Sequence, residues 1–255
     1  MIQLVKNSLR VICLLPLLYA VNVNALLIGS DGFTGALVMI DETNGNATQF
    51  GSVPSGTGIG IAYDPLTDTW YTRDFDTLYT FDLFGVVTPL GPSGAFITGL
   101  TFDSSFSTLF SVDQGNGDLY SVDPLTGTAT LIGNTGIDTP LGLSTNSAGV
   151  VYTSTLFGDI YTIDTSSAIA TLVTNAGEGL TSIAFDASDI LYAVTVGGDV
   201  LQMDLLGSPV NVGTIPTFND IRGLAFSVSV PEPGTLALLG LGLSVMGLAR
   251  RRKKV

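Results

Sequence analysis

The feature that most constrains this chain is a unit that recurs about every 40 residues through its middle. It opens with Gly or Ser, an apolar pair or near-pair, and an aromatic residue followed by Asp. The clear copies are Gly60-Ile61-Ala62-Tyr63-Asp64, Gly99-Leu100-Thr101-Phe102-Asp103 and Ser182-Ile183-Ala184-Phe185-Asp186. Gly142-Leu143-Ser144-Thr145-Asn146 and Gly223-Leu224-Ala225-Phe226-Ser227 are degenerate copies, and successive openings lie 39, 43, 40 and 41 residues apart. A second short segment follows each complete opening, as in Leu109-Phe110-Ser111. A third ends in Asp, at Asp82, Asp123, Asp164 and Asp204, and a fourth follows a turn, as in Thr128-Ala129-Thr130-Leu131-Ile132. The segments are short and rich in β-branched and aromatic residues, with Gly, Asp, Asn, Ser and Pro between them. Those are strand and turn signals. Four strands in about 40 residues make the blade of a β-propeller.

The phase of the repeat predicts how the ring closes. The body begins with second, third and fourth strands, near 26–30, 36–41 and 47–51, and ends on a lone first strand at 223–227. Three strands from the start and one from the end make a composite blade. With four complete blades this predicts an all-β propeller of about five four-stranded blades. Such a joint covers both terminal edges, which otherwise invite aggregation. A β-sandwich or a solenoid is the structural alternative. The body resembles bacterial secreted propellers whose blades read Gly-Leu-Ala-Phe-Asp, Leu-Tyr, Leu-Tyr-x-Ile-Asp and Thr-Gly-x-Ala-Thr. That resemblance spans about 26–228 and speaks to architecture, not chemistry.

The two ends do not belong to the repeat. Lys6 and Arg10 precede or border an apolar run at 11–19, and Val23-Asn24-Ala25 follows with small or apolar residues. This is the order of a secretory signal, so 1–25 is expected to be a signal peptide forming a helix and cut after Ala25 by signal peptidase. The run is shorter than the roughly 20 residues a spanning helix needs. The C-terminal end has three parts: Pro231-Glu232-Pro233, an uncharged and mostly apolar stretch at 234–249, and a basic cluster of Arg250, Arg251, Arg252, Lys253 and Lys254. The prolines stiffen the first part. The apolar part spans about 24 Å as a helix, enough for a short transmembrane helix, and the basic cluster acts as a membrane stop that stays cytoplasmic. An ordinary C-terminal anchor explains the last two parts but not Pro-Glu-Pro at their boundary.

This three-part tail, 229–255, resembles the PEP-CTERM sorting signal of Gram-negative bacteria. The resemblance implies recognition by an exosortase, with Pro231, Glu232 and Pro233 as the recognised residues. It also implies a transient stay in the inner membrane, then release to the cell surface or the extracellular medium. For such proteins it further implies a setting rich in extracellular polysaccharide, a candidate partner.

Chemistry is scarce between the ends. The chain has no histidine, and its one cysteine, Cys13, lies in the signal. The mature body therefore has no disulfide, no thiolate metal site and no histidine-based triad. Of the 22 acids all but Glu232 fall between residues 26 and 230, whereas of the nine bases only Arg73 and Arg222 do. A body this acidic repels phosphate backbones, so no nucleic-acid partner is expected. Asp74 with Asp76, and Asp186 with Asp189, are carboxylate pairs close in sequence, and an Asp-dependent hydrolase or lyase would use Asp residues at the propeller's central channel. The recurring Asp at 82, 123, 164 and 204 reads instead as a turn former. Asp113, Asn116 and Asp118 put oxygen ligands on a Gly-bearing loop that is a candidate calcium site, though it lacks the full EF-hand pattern. A plain hairpin loop is the competing reading. No catalytic residue and no cofactor other than calcium is expected. The leading expectation is a non-enzymatic interaction module; the alternatives are the Asp-dependent enzyme and a calcium-stabilised structural module.

Overall fold

The computed structural model describes residues 25–54, 58–205, 208–218 and 220–227. These belong to one compact unit, and among them no helix is long and apolar enough to cross a membrane. The expected signal helix and transmembrane helix lie outside the described residues.

The described chain forms twenty strands in five antiparallel sheets of four. Blade 1 holds β1 (Leu27–Asp31), β2 (Ala36–Ile40) and β3 (Ala47–Ser52). Blade 2 holds β4 (Ile59–Asp64), β5 (Thr69–Arg73), β6 (Thr77–Phe81) and β7 (Val87–Pro92). Blade 3 holds β8 (Leu100–Phe102), β9 (Leu109–Val112), β10 (Asp118–Val122) and β11 (Ala129–Asn134). Blade 4 holds β12 (Pro140–Thr145), β13 (Val151–Thr155), β14 (Asp159–Ile163) and β15 (Ala170–Asn175). Blade 5 holds β16 (Leu180–Phe185), β17 (Leu191–Thr195), β18 (Asp199–Met203) and β19 (Val210–Thr214), and β20 (Ile221–Phe226) ends the body. The sandwich and solenoid alternatives are thereby excluded.

β20 pairs antiparallel with β1, Leu27 facing Phe226 and Gly29 facing Leu224, and becomes the innermost strand of blade 1. The ends of the body are tied there by Leu26 N–H to Ser227 Oγ (2.7 Å) and Ser227 N–H to the Leu26 carbonyl (2.8 Å). The composite blade expected from the repeat is the observed closure.

Burial grades outward. The inner strands β4 and β16 are buried at every residue, whereas the outer strands β3, β7 and β11 are half-buried or exposed throughout. Apolar contact is made between blades rather than around one centre. Ile28, Leu37, Ile61, Trp70 and Phe81 join blades 1 and 2, while Leu109, Val122, Leu78 and Tyr71 join blades 2 and 3. Comparable clusters join 3 to 4, 4 to 5, and 5 to 1, so the ring is sealed by five like interfaces.

The inner strands approach so closely that the opening glycine of the repeat has a steric reason. A Cβ on Gly99 would lie 2.3 Å from the Leu141 carbonyl oxygen, and one on Gly60 would lie 2.5 Å from the Thr98 carbonyl oxygen. Both contacts are to backbone of the neighbouring inner strand, which cannot turn aside as a side chain can. In every blade the pairing of third and fourth strands also shifts register, for example between Leu37 and Val38 and between Leu119 and Tyr120. Such bulges add twist.

Candidate functional site

The inner strands end around a funnel of about 400 Å³, lined by residues of β4, β8, β12, β16 and β20. That volume falls within the range of small-molecule sites. Its wall is aromatic, with Tyr63, Phe102, Phe106, Phe185 and Phe226, and its rim is polar, with Asp103, Ser104, Asn146, Ser147 and Asp186. Among the described residues no Lys or Arg lines it.

Each rim Asp or Asn ends an inner strand and caps the turn to the second strand. Asp103 Oδ1 accepts from Ser107 N–H and Thr108 N–H, and its Oδ2 accepts from the Ser105 and Ser107 hydroxyls. Burial raises the Asp103 carboxyl, but those four bonds outweigh it and the group sits below its ordinary range. Asn146 Oδ1 accepts from Val150 N–H at 2.9 Å. Asp186 Oδ1 accepts from Ser188 N–H (2.8 Å) and Ile190 N–H (2.9 Å), and its Oδ2 has no partner among the described residues. Two hydroxyls stitch neighbouring inner strands at the funnel: Ser144 Oγ accepts from Phe185 N–H (2.9 Å), and the Thr145 hydroxyl donates to the Phe102 carbonyl (2.6 Å).

The same turn demands a left-handed residue near its end. Asp68, Phe106, Gly149 and Asp189 occupy it, with φ of 52°, 56°, 81° and 60°. Gly and Asp suit that region; a side chain such as Phe pays about 1–2 kcal/mol there. The two Asp residues use their carboxylates. Asp68 accepts from the Tyr63 hydroxyl at 2.7 Å, and Asp189 accepts from Ser147 N–H and hydroxyl across the joint between blades 4 and 5. Burial, then the bond to Asp68, pushes the Tyr63 phenol far above its ordinary range. Phe106 instead turns its ring to Phe102 and to the funnel.

The opposite mouth holds the body's two cations. Arg73 is fully buried, and its Nη2 donates to the Phe75 carbonyl (3.0 Å) and the Ser93 hydroxyl (3.2 Å), while Nε and Nη1 find no partner among the described residues. Burial pulls its pKa down to about 9 against the attraction of Asp74, Asp76 and Asp113. Arg222 pairs with Asp220 at 2.7 Å, and its Nη1 reaches to 3.5 Å from Gln114 Oε1. Arg222 belongs to blade 1 and Gln114 to blade 3, so the side chain crosses the mouth. Around it stand Phe33, Phe75, Phe96, Phe157 and Val196, between 44% and 76% exposed, with Phe75 and Phe96 stacked at 5.4 Å. They form a collar of exposed apolar side chains at this mouth.

The carboxylates singled out in the sequence serve mostly as turn caps. Asp74 Oδ1 accepts from Asp76 N–H and Thr77 N–H, and its Oδ2 from the Tyr79 hydroxyl, at the mouth opposite the funnel. Asp186 lines the funnel, while Asp189 is held by Ser147. Asp82, Asp123 and Asp164 each accept backbone N–H bonds two residues on, as turn formers do. Asp113, Asn116 and Asp118 lie on the hairpin between β9 and β10. There Asp113 Oδ1 accepts from Gly115 N–H (2.6 Å), and Asp118 accepts from the Asn116 amide (2.9 Å) and the Asn134 amide (2.8 Å). Among the described residues no three of His, Cys, Asp or Glu gather as a metal-holding group, so an ion on this loop would draw on Asn116 and backbone carbonyls as well. Pro231, Glu232, Pro233 and the cluster Arg250, Arg251, Arg252, Lys253 and Lys254 lie outside the described residues. A central channel with Asp residues at it was expected of the repeat, and Asp103 and Asp186 do line the funnel; which other side chains meet there was not readable, because they come from five strands far apart along the chain. The funnel's local signs are the aromatic residue and the Asp or Asn that end the repeat openings, as at Phe102-Asp103 and Phe185-Asp186, and a Phe at a turn position where other blades carry Asp or Gly.

No curated protein matches the chain. Among solved structures, a chain of the nidogen/laminin complex aligns with a TM-score of 0.60 and 16% identity, over 80% of this chain and 99% of that one. A structural-genomics protein of unknown function from Bacteroides thetaiotaomicron aligns with a TM-score of 0.55 and 15% identity, over 79% of this chain and 66% of that one. Virginiamycin B lyase from Staphylococcus aureus aligns with a TM-score of 0.47 and 16% identity, over 80% and 76% of the two chains, too distant to bear on chemistry. These likenesses concern the fold alone. The PEP-CTERM protein-sorting motif matches residues 229–253. The chain is thus a five-bladed β-propeller that carries a PEP-CTERM sorting motif immediately after its closing strand.

Proposed function

We propose that this protein is a non-enzymatic propeller delivered to the cell surface or medium, where it serves as an interaction module associated with extracellular polysaccharide. A signal peptidase removes 1–25 during export. The body is 26–228, and 229–255 holds it at the inner membrane until an exosortase acts near Pro231-Glu232-Pro233. The observation that carries this reading is the sorting motif at 229–253, which begins two residues after Ser227 at the propeller's closure. Further support comes from composition: no histidine anywhere and no cysteine after Cys13. The exposed aromatic side chains of Phe33, Phe75, Phe96 and Phe157 at one mouth support a binding role. A calcium ion on Asp113, Asn116 and Asp118 is a separate proposal, and a higher melting temperature with calcium than with chelator is its sign.

Glu232→Ala tests the sorting step. The change removes the only charge in Pro231-Glu232-Pro233 and leaves 234–254 intact. Membrane insertion is expected to be unchanged, and the uncut form to accumulate in the membrane fraction. Wild-type levels of surface protein from the variant would contradict recognition at Glu232.

A further inference from the structure

We propose that the funnel is a subsite for a sugar ring that is uncharged or cationic, and that it excludes acidic sugars. The inference rests on the reading of the body as a polysaccharide-associated module, and it names where one ring sits and which charge is accepted.

Three observations lead there. The first is Phe106. It stands in the left-handed region with φ 56°, at a turn position that Gly149 and Asp189 fill in the next two blades. Neither the turn nor a hydrogen bond calls for Phe at that place. Its ring packs against the apolar cluster between blades 2 and 3, and its remaining face lies on the funnel wall beside Phe102, at 6.4 Å between centroids. Apolar ring faces are what a sugar's C–H face stacks on. Second, the polar groups left over at the rim suit hydroxyls. Asp186 Oδ2 is an acceptor with no partner among the described residues, and Ser144, whose oxygen already accepts from Phe185 N–H, keeps its own proton to donate. Hydroxyl groups both donate and accept, so one ring can meet both.

The third observation is charge. Asp103 and Asp186 are on the rim, and among the described residues no Lys or Arg lines the funnel. Arg73 and Arg222 are committed at the other mouth, to Ser93 and to Asp220. A carboxylate on the ligand would face two carboxylates with no cation to offset them, whereas an ammonium would be drawn in. Cations are also favoured over aromatic faces.

The test compares glucosamine, glucose and glucuronate, which share a ring and differ mainly in charge. Binding is measured by calorimetry at low salt on the full-length protein, in a detergent without a sugar headgroup. Glucosamine is expected to bind at least about tenfold more tightly than glucuronate, with glucose between them. Two variants locate the effect. Asp186→Asn keeps the turn cap, as Asn146 does at the equivalent place in blade 4, and should shrink the preference to within about threefold. Phe106→Gly places at the turn the residue type that blade 4 uses and should abolish binding without loss of the folded propeller. Equal or tighter binding of glucuronate overturns the proposal, as does binding by both variants at wild-type strength and selectivity. Capture of matrix polysaccharide that neither variant alters would overturn the funnel site and leave the wider reading of the body standing. Funnel binding with no polysaccharide capture would do the reverse.

Discussion

Asp41, Asp123 and Asp164 show how one residue type can shape a repeat without doing chemistry. Each ends a third strand, and each carboxylate is drawn below the ordinary value of 3.8 by its own turn: by the Thr43 hydroxyl at Asp41, by Leu125 N–H at Asp123, and by the Ser166 hydroxyl at Asp164. A lowered folded value means that the unfolded chain takes up the proton first as pH falls. The caps therefore contribute stability that is fully present above about 3.8 and is lost as pH drops through the folded values. Buried Asp220 acts in the opposite sense. Burial raises it, only partly offset by Arg222, so the folded chain takes up its proton first and gains stability on acidification. A single substitution separates the caps from this background. Asp123→Asn keeps an acceptor for Leu125 N–H but does not titrate. Its deficit in melting temperature relative to wild type should be largest near about pH 7 and should shrink toward about pH 3; a deficit that does not vary with pH would contradict the assignment. Such caps are legible in sequence because Asp followed by Thr, Ser or Gly implies a local bond. Phe106 was not legible as a site residue, because its meaning depends on a backbone angle shared with Asp68, Gly149 and Asp189.

The strands follow the alternation of β-branched and aromatic residues with turn formers, and their order follows the phase of the repeat. The body starts on a second strand and ends on a first one, which makes β20 the inner strand of blade 1. The reason for the opening glycine was not readable: it is the backbone of the next blade, 2.3 Å from where a Cβ on Gly99 would stand. Closure makes an unequal prediction for two truncations. Removing 221–255 takes away Ile221 and Leu224, 1% and 2% exposed, and uncovers β1 along its inner edge. That chain should lose cooperative melting or melt far below the full body. Removing 231–255 leaves β20 and the Leu26–Ser227 bonds in place and should not change the melting temperature of the body. Equal melting of the two truncations would rule out closure by β20.

At the scale of the molecule, charge and connectivity act together. The body gathers 21 of the 22 acids and only two of the nine bases, and both of those bases sit at the mouth away from the funnel. Both ends of the body leave it side by side, at Leu26 and Ser227, where the sorting motif begins. The collar of Phe33, Phe75, Phe96 and Phe157 is at the mouth opposite Leu26 and Ser227. We propose that this propeller is delivered by removal of its tail. The intact mass of the protein recovered from the cell surface or medium tests it most directly. A mass that lacks the apolar segment at 234–249 and the cluster from Arg250 to Lys254 is the predicted result. A surface protein whose mass still includes Arg250 to Val255 would contradict processing and make the tail a permanent anchor.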